Sequence, residues 1–196
     1  MNFLAHLFLS QQEEELLVGN FLGDFVRKSA DENFSMGIRR GLQLHRKIDT
    51  FTDTHPVVRE STRLLHERHH KYAPVLLDVF YDFLLAKNWT LYSGESLENY
   101  TQKVYAILES YLPIMPPVLQ HRLPLMIADD WLVRYGTLEG LEFTFSRMKY
   151  RVSEPSHFDG AIGSLQMNLE QLNTGFRQFF PEMIAFVNWS DDSEVV

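Results

Sequence analysis

Cysteine is absent from the chain, which excludes disulfides, thiolate metal centres, zinc fingers and a cysteine nucleophile together. Any metal must then be held by imidazole nitrogen or carboxylate oxygen. No apolar run approaches the roughly 20 residues that span a bilayer, and residues 1–9, though apolar, lack a basic leader and a small-residue cleavage site. A soluble, cytoplasmic protein with no membrane partner is expected. A broad basic field is missing too: the formal net charge is −8, which argues against a nucleic-acid partner, because phosphate neutralisation needs clustered Lys and Arg. No Gly-rich phosphate loop, nucleophile-elbow serine or HExxH helix occurs. Strand-like alternation, internal repeats and linkers are also lacking.

What is present is a helical pattern. With 196 residues, 45% of them hydrophobic, the chain is long enough to bury one sizeable core. The expected class is all-α, a single-domain helical bundle over residues 1–189 with a disordered acidic tail at 190–196. Ser10 and Glu13 have capping-box spacing, which predicts a helix over 10–28. Further helices are expected over 36–52, 56–70, 73–89, 96–112, 121–134, 138–149 and 158–180. His66, His69 and His70 lie among solvent-type charges without a carboxylate partner on their face, and are read as surface rather than as ligands.

Two of these helices carry chemistry. His45, Asp49 and Asp53 stand at four-residue steps, so they share one face of the 36–52 helix and its end. The 73–89 helix is apolar almost all round, yet Asp78 and Asp82 interrupt it four residues apart. Two acids on one face of a buried helix repel unless a cation or hydrogen bonds lie between them. Asp24 falls at the edge of the apolar stripe of Leu17, Phe21 and Phe25 and asks for a partner. Gly19, Gly23 and Gly41 leave room for close approach. His6 stands in the apolar N-terminal segment. Together His6, Asp24, His45, Asp49, Asp53, Asp78 and Asp82 suggest an open N/O metal site able to polarise a phosphoryl oxygen and to lower the pKa of bound water. Hydrolysis of a phosphomonoester or phosphodiester is the reaction class this implies. Mn²⁺ or Mg²⁺ suits a carboxylate-rich set better than Zn²⁺, with Fe²⁺ also compatible. Short basic runs, Arg27-Lys28, Arg39-Arg40 and Arg46-Lys47, lie beside these residues and suit an acidic partner or a phosphate, while a fourth, from Arg147 to Arg151, lies apart from them.

Several segments carry a resemblance. Asn2-Phe3-Leu4-Ala5-His6-Leu7, Gly19-Asn20-Phe21-Leu22-Gly23-Asp24-Phe25-Val26, His45-Arg46-Lys47-Ile48-Asp49-Thr50-Phe51-Thr52-Asp53 and Asp78-Val79-Phe80-Tyr81-Asp82 closely resemble the acyl carrier protein phosphodiesterase family. Leu84-Leu85-Ala86-Lys87-Asn88-Trp89 and Trp131-Leu132-Val133-Arg134-Tyr135 extend the likeness over about the first 150 residues. The resemblance implies an HD-domain-like fold, as an offshoot of the HD-type metal-dependent phosphohydrolases. It also implies hydrolysis of the phosphodiester between 4′-phosphopantetheine and a serine of holo acyl carrier protein, with Mn²⁺ as activator. Carried over by position, it points to Asp24, His45, Asp78 and Asp82 as metal ligands. Asp49 then ligates the metal or orients His45, and His6 contacts the phosphate or supports a ligand. Acyl carrier proteins are acidic, so Arg39, Arg40, Arg46 and Lys47 become the expected docking patch. The chain departs from the family where Asp82-Phe83 replaces the common Asp-His, and where Phe8 replaces a second His found in some members. Two other readings of the same residues stay open: a phosphohydrolase of a small phosphoester such as a nucleotide, and a non-catalytic carrier-binding protein.

Overall fold

In a computed structural model the chain is an all-α bundle, described over residues 1–10 and 13–192, with no strand among the described residues. A short helix α1 (Phe3–Phe8) is followed by α2 (Glu14–Leu22), α3 (Met36–Thr54), α4 (Pro56–His69) and α5 (Ala73–Lys87). The second half comprises α6 (Leu97–Ser110), α7 (Pro117–Ala128), α8 (Trp131–Arg134), α9 (Leu138–Lys149), α10 (Ala161–Met167) and α11 (Leu169–Asp192). The backbone of the acidic tail is therefore helical to Asp192; residues 193–196, where disorder was expected, lie outside the described residues.

Local chemistry sets most of these boundaries. The Ser35 hydroxyl accepts from the Ile38 N–H at 3.3 Å and starts α3, and Ser96 and Thr137 do the same for α6 and α9. His55 ends α3 and Pro56 opens α4, because proline supplies helical φ where no amide donor is needed. The capping box expected at Ser10 does not form. Its hydroxyl instead donates to the His6 carbonyl at 2.9 Å, and α2 begins at Glu14 without a side-chain cap. Helix α2 also stops at Leu22 rather than 28, giving way to turns that hold Gly23 and Asp24. The expected 121–134 helix is split at Asp130, whose backbone is left-handed (φ +47°). Tyr105 fixes this break: its hydroxyl donates to Asp130 Oδ1 at 2.9 Å and accepts from the Leu132 N–H at 3.0 Å. The expected 158–180 helix is likewise broken, at Asn168 between α10 and α11.

The core is strongly aromatic, with Phe21, Phe80, Tyr81, Phe176, Phe179 and Phe180 fully buried. Helix α5 sits within it, packed by α1, α4 and α11, as an all-round apolar sequence requires. His69 is buried too: Nδ1 is bonded to the His157 carbonyl at 2.6 Å and Nε2 to the Ser164 hydroxyl at 2.8 Å. It ties α4 to the chain before α10. Helices α2 and α3 touch backbone to backbone, since a Cβ on Gly19 would lie 2.1 Å from the Ile38 carbonyl oxygen and 2.8 Å from Gly41 Cα. This contact brings the end of α2 against the middle of α3, where His45 lies.

Candidate metal centre

His6 comes from α1, and His45 and Asp49 from successive turns of α3. Donor atoms of these three residues lie within 4.8 Å of one another. The two imidazole rings stack with centroids 4.2 Å apart and planes 20° from parallel. His45 Nε2 is 3.2 Å from Asp49 Oδ2, and His6 Nε2 is 3.2 Å from Asp49 Oδ1. Asp24 adds a carboxylate oxygen 3.7 Å from His45 Nε2. Gly23 makes the approach possible: a Cβ there would meet the His45 ring carbon Cγ at 2.1 Å.

Asn20, on α2, decides the tautomer of both rings. Its amide Nδ2 donates to the His6 carbonyl at 2.7 Å and to the Ser10 hydroxyl at 2.9 Å, which turns its Oδ1 toward His6 Nδ1 at 2.8 Å. An amide oxygen only accepts, so His6 Nδ1 carries the hydrogen. The backbone carbonyl of the same residue faces His45 Nδ1 at 2.9 Å and imposes the same tautomer. Both Nε2 lone pairs then point toward the Asp49 carboxylate, an arrangement that repels unless a proton or a metal ion lies between. His6 Nε2 is in fact buried without a hydrogen-bond partner.

The electrostatics follow. Burial holds the His6 imidazole below its ordinary pKa, with the Met1 α-amine and His45 adding to the effect and Asp49 opposing it. Burial also lowers His45, but Asp49, Asp24 and the Asn20 carbonyl outweigh it and raise this group. Asp49 is pushed up by burial and pulled further down by both imidazoles, ending well below the usual carboxylate range. The centre thus offers one imidazole whose charged form burial disfavours, one whose charged form two carboxylates favour, and a carboxylate held in its ionised form. A divalent cation in place of any proton there leaves neutral imidazole and carboxylate ligands. These residues fit a metal ion: two nitrogens, one carboxylate, and each imidazole fixed by a carbonyl-type acceptor on its far side.

The remaining residues singled out from the sequence are not part of the His6, His45 and Asp49 cluster, although Asp78 adjoins it through the Met1 amine. Asp82 is fully buried on α5, and its two oxygens accept from the Leu4 N–H at 2.8 Å and the Ala5 N–H at 3.1 Å, at the start of α1. Asp78, one turn earlier, faces the buried Met1 α-amine at 3.2 Å, which is also 3.7 Å from Asp49. Asp53 is exposed. Arg46 is held by Asp31 through two bonds of 2.6 and 2.8 Å, and Arg40 by Glu13 at 3.3 Å. Arg39 has a buried Nε without a partner. Phe83 is buried with the Lys87 ammonium 5.4 Å from its ring centroid, and Phe8 packs among Trp89, Tyr100 and Phe180. The residue that sequence reasoning missed is Asn20. Its only signal is an amide inside an apolar helix, and burial to 0% exposure is what makes that amide informative.

No solved structure matches the chain. A protein of Serratia proteamaculans is 34% identical over 185 residues, covering 94% of this chain and 96% of its own. One of Escherichia coli O45:K1 is 32% identical with the same coverage. A third, from Photorhabdus laumondii, is 30% identical over 94% of this chain and 93% of its own. All three are named acyl carrier protein phosphodiesterase, and the model of that family matches residues 1–183. With a metal-competent His/His/Asp centre inside the matched region, the chain belongs to the acyl carrier protein phosphodiesterase family.

Proposed function

We propose that the protein is a metal-dependent phosphodiesterase that releases 4′-phosphopantetheine from holo acyl carrier protein, leaving the apo carrier. The observation that carries the metal-dependent part is the pair of Nε2 lone pairs, both fixed by Asn20 and both directed at Asp49. The substrate is inferred from the family. His6, His45 and Asp49 would hold the ion, with Asp24 at its edge. A bound divalent cation supplies polarisation of the phosphoryl oxygen and a lowered pKa for an attacking water. Two nitrogens among the donors favour Mn²⁺ or Fe²⁺ over Mg²⁺, and we take Mn²⁺ as the working ion.

The chain's own contribution is positional and basic. Asn20 orients both imidazoles. Asp24, about half exposed and beside His45, is the carboxylate placed to take a proton from the attacking water. Water adds to phosphorus, the bond from phosphorus to the serine oxygen breaks, the water oxygen stays on the 4′-phosphopantetheine phosphate, and the proton taken up by Asp24 passes to the leaving serine oxygen. In this reading Asp82 organises the first turn of α1, and so places His6. The centre is then His6, His45 and Asp49, built without the histidines that some family members carry at positions 8 and 83. The all-helical architecture and the His45–Asp49 step agree with descent from the HD-type phosphohydrolases, which we infer as part of the same reading.

Mass spectrometry of holo carrier protein tests the proposal directly. Loss of one 4′-phosphopantetheine group with added Mn²⁺, and none with chelator, is expected. A carrier left intact at every metal concentration refutes the activity.

A further inference from the structure

The basic run from Arg147 to Arg151 is absorbed by nothing in the metal centre. It lines a groove between α7, α8 and α9, together with Arg122 and Arg134, and the only carboxylate on that lining is Asp129. Four arginines around one acid are a local reversal of sign on a chain of net charge −8. None of the four is held in an ion pair among the described residues, whereas Arg46 and Arg40 on α3 are engaged by Asp31 and Glu13. Between the arginines the surface is apolar. Leu125 is 63% and Phe143 40% exposed, and the guanidinium carbons of Arg134 and Arg147 lie 5.5 and 5.3 Å from the Phe143 ring centroid. Trp131 lines the groove as well, and its indole Nε1 has no hydrogen-bond partner.

The groove borders the metal centre. Asn2 and Phe3 form one end of it. The Phe3 ring stacks at 6.0 Å on Phe25, the residue after Asp24, and Met1, before Asn2, reaches Asp78 and Asp49.

We propose that this groove is where the acidic carrier protein docks. An acidic, amphipathic segment of the carrier sets its carboxylates on Arg122, Arg147 and Arg151 and an apolar side chain against Leu125 and Phe143. The inference rests on the carrier-protein reading above. Charge complementarity selects the partner: unpaired, exposed cationic side chains attract carboxylates, and the apolar floor between them suits one face of a helix. Seated there, the carrier lies against Asn2 and Phe3, the end of the groove that adjoins Phe25 and the chain at Asp24. The expected patch on α3 is the less available of the two, because Arg46 and Arg40 are already engaged.

Apo carrier protein, which binds without being turned over, is the probe. Its affinity is measured by calorimetry for the full-length protein and for R147E/R151E, with R147K/R151K as the conservative pair and R39E/R40E as the α3 control. Arg147 and Arg151 lie outside the His6, His45 and Asp49 cluster, so the Mn²⁺ affinity and thermal midpoint of R147E/R151E should match the parent. Carrier affinity should fall about tenfold or more in R147E/R151E and lose much of its salt dependence, with KM for holo carrier rising by the same factor and kcat retained. R147K/R151K should stay close to the parent. An unchanged affinity in R147E/R151E overturns the assignment, as does a comparable loss in R147K/R151K, or a loss confined to R39E/R40E. Displacement of apo carrier by free 4′-phosphopantetheine from the parent but not from R147E/R151E also overturns it, since the groove would then hold the prosthetic arm. A parent protein that neither binds apo carrier nor releases 4′-phosphopantetheine from the holo form refutes the functional reading itself. Release with groove variants unaffected refutes the groove alone.

Discussion

Replacing Asp82 by Ala separates the two roles that a buried acid on α5 can have. In the structure its carboxylate is the acceptor for the backbone N–H groups of Leu4 and Ala5, 2.8 and 3.1 Å away, and it lies outside the His6, His45 and Asp49 cluster. The substitution leaves two buried donors without partners, each costing about 1–3 kcal/mol. Relief of a buried acid offsets part of this, because burial pushes the Asp82 carboxyl up to about 7 against the pull of those two N–H groups. A net loss of about 2–4 kcal/mol is expected, which for a chain of this size lowers the thermal midpoint by roughly 5–15 °C. Thermal unfolding followed by circular dichroism reads this loss. Calorimetric titration with Mn²⁺ well below the midpoint should give an affinity within a few-fold of the parent. Asp49→Ala should lose Mn²⁺ affinity outright, with some fall in midpoint as well because its contacts to His6, His45 and the Met1 amine are removed. An Asp82→Ala protein with the parent's midpoint and no Mn²⁺ binding would place Asp82 on the metal and refute this account of the centre.

Asp82 also predicts a pH dependence of stability. Its folded value of about 7 lies above the ordinary 3.8, so the folded state holds this proton longer. The stability it contributes is complete below about 4 and is lost as pH rises through 7. Comparing Asp82→Asn with the parent across that window should show the parent's relative stability falling with pH; a parallel pair of curves contradicts it. Gly23→Ala places a methyl carbon against the His45 ring, 2.1 Å from Cγ, and should lower Mn²⁺ affinity about 10–100-fold with helicity preserved; an unchanged titration would show that the ring has freedom to move. Because Asp49 and Asp24 raise the His45 pKa above its ordinary 6.5 despite its burial, a metal ion competes with a proton there at acidic pH. Mn²⁺ affinity should therefore climb by up to about tenfold per pH unit as pH rises toward that raised value, and a profile flat below pH 6.5 would be incompatible with His45 as a ligand.

The one-dimensional pattern was most informative where chemistry repeats along a helix. His45 and Asp49 are one turn apart, so their convergence follows from a 3.6-residue period alone, and they do meet at 3.2 Å. Asp53 stands one further turn along, still within α3, but exposed at the helix end. Asp78 and Asp82 illustrate the other limit. Their four-residue spacing puts them on neighbouring turns of α5, but periodicity does not say what lies opposite. The N-terminal segment lies opposite, and it supplies an α-amine to one and two amide donors to the other. Helix starts marked by Ser35 or Pro56 were legible because a cap is a contact within four residues. The break at Asp130 was not, since the hydroxyl that stabilises it belongs to Tyr105, in another helix.

By itself, then, the sequence determined the all-helical class, the family, and the His45–Asp49 step, all of which depend on residue identity and short-range spacing. Only the tertiary structure decided that His6 joins that step and that Asn20 sets the tautomer of both rings. It alone directed Asp82 to the backbone of α1, and it alone gathered four arginines from α7, α8, α9 and the chain just after into one groove. Each of those outcomes requires groups from separate helices to arrive at the same place. Helix packing, down to the bare glycine contacts of α2 on α3, is what brings them there.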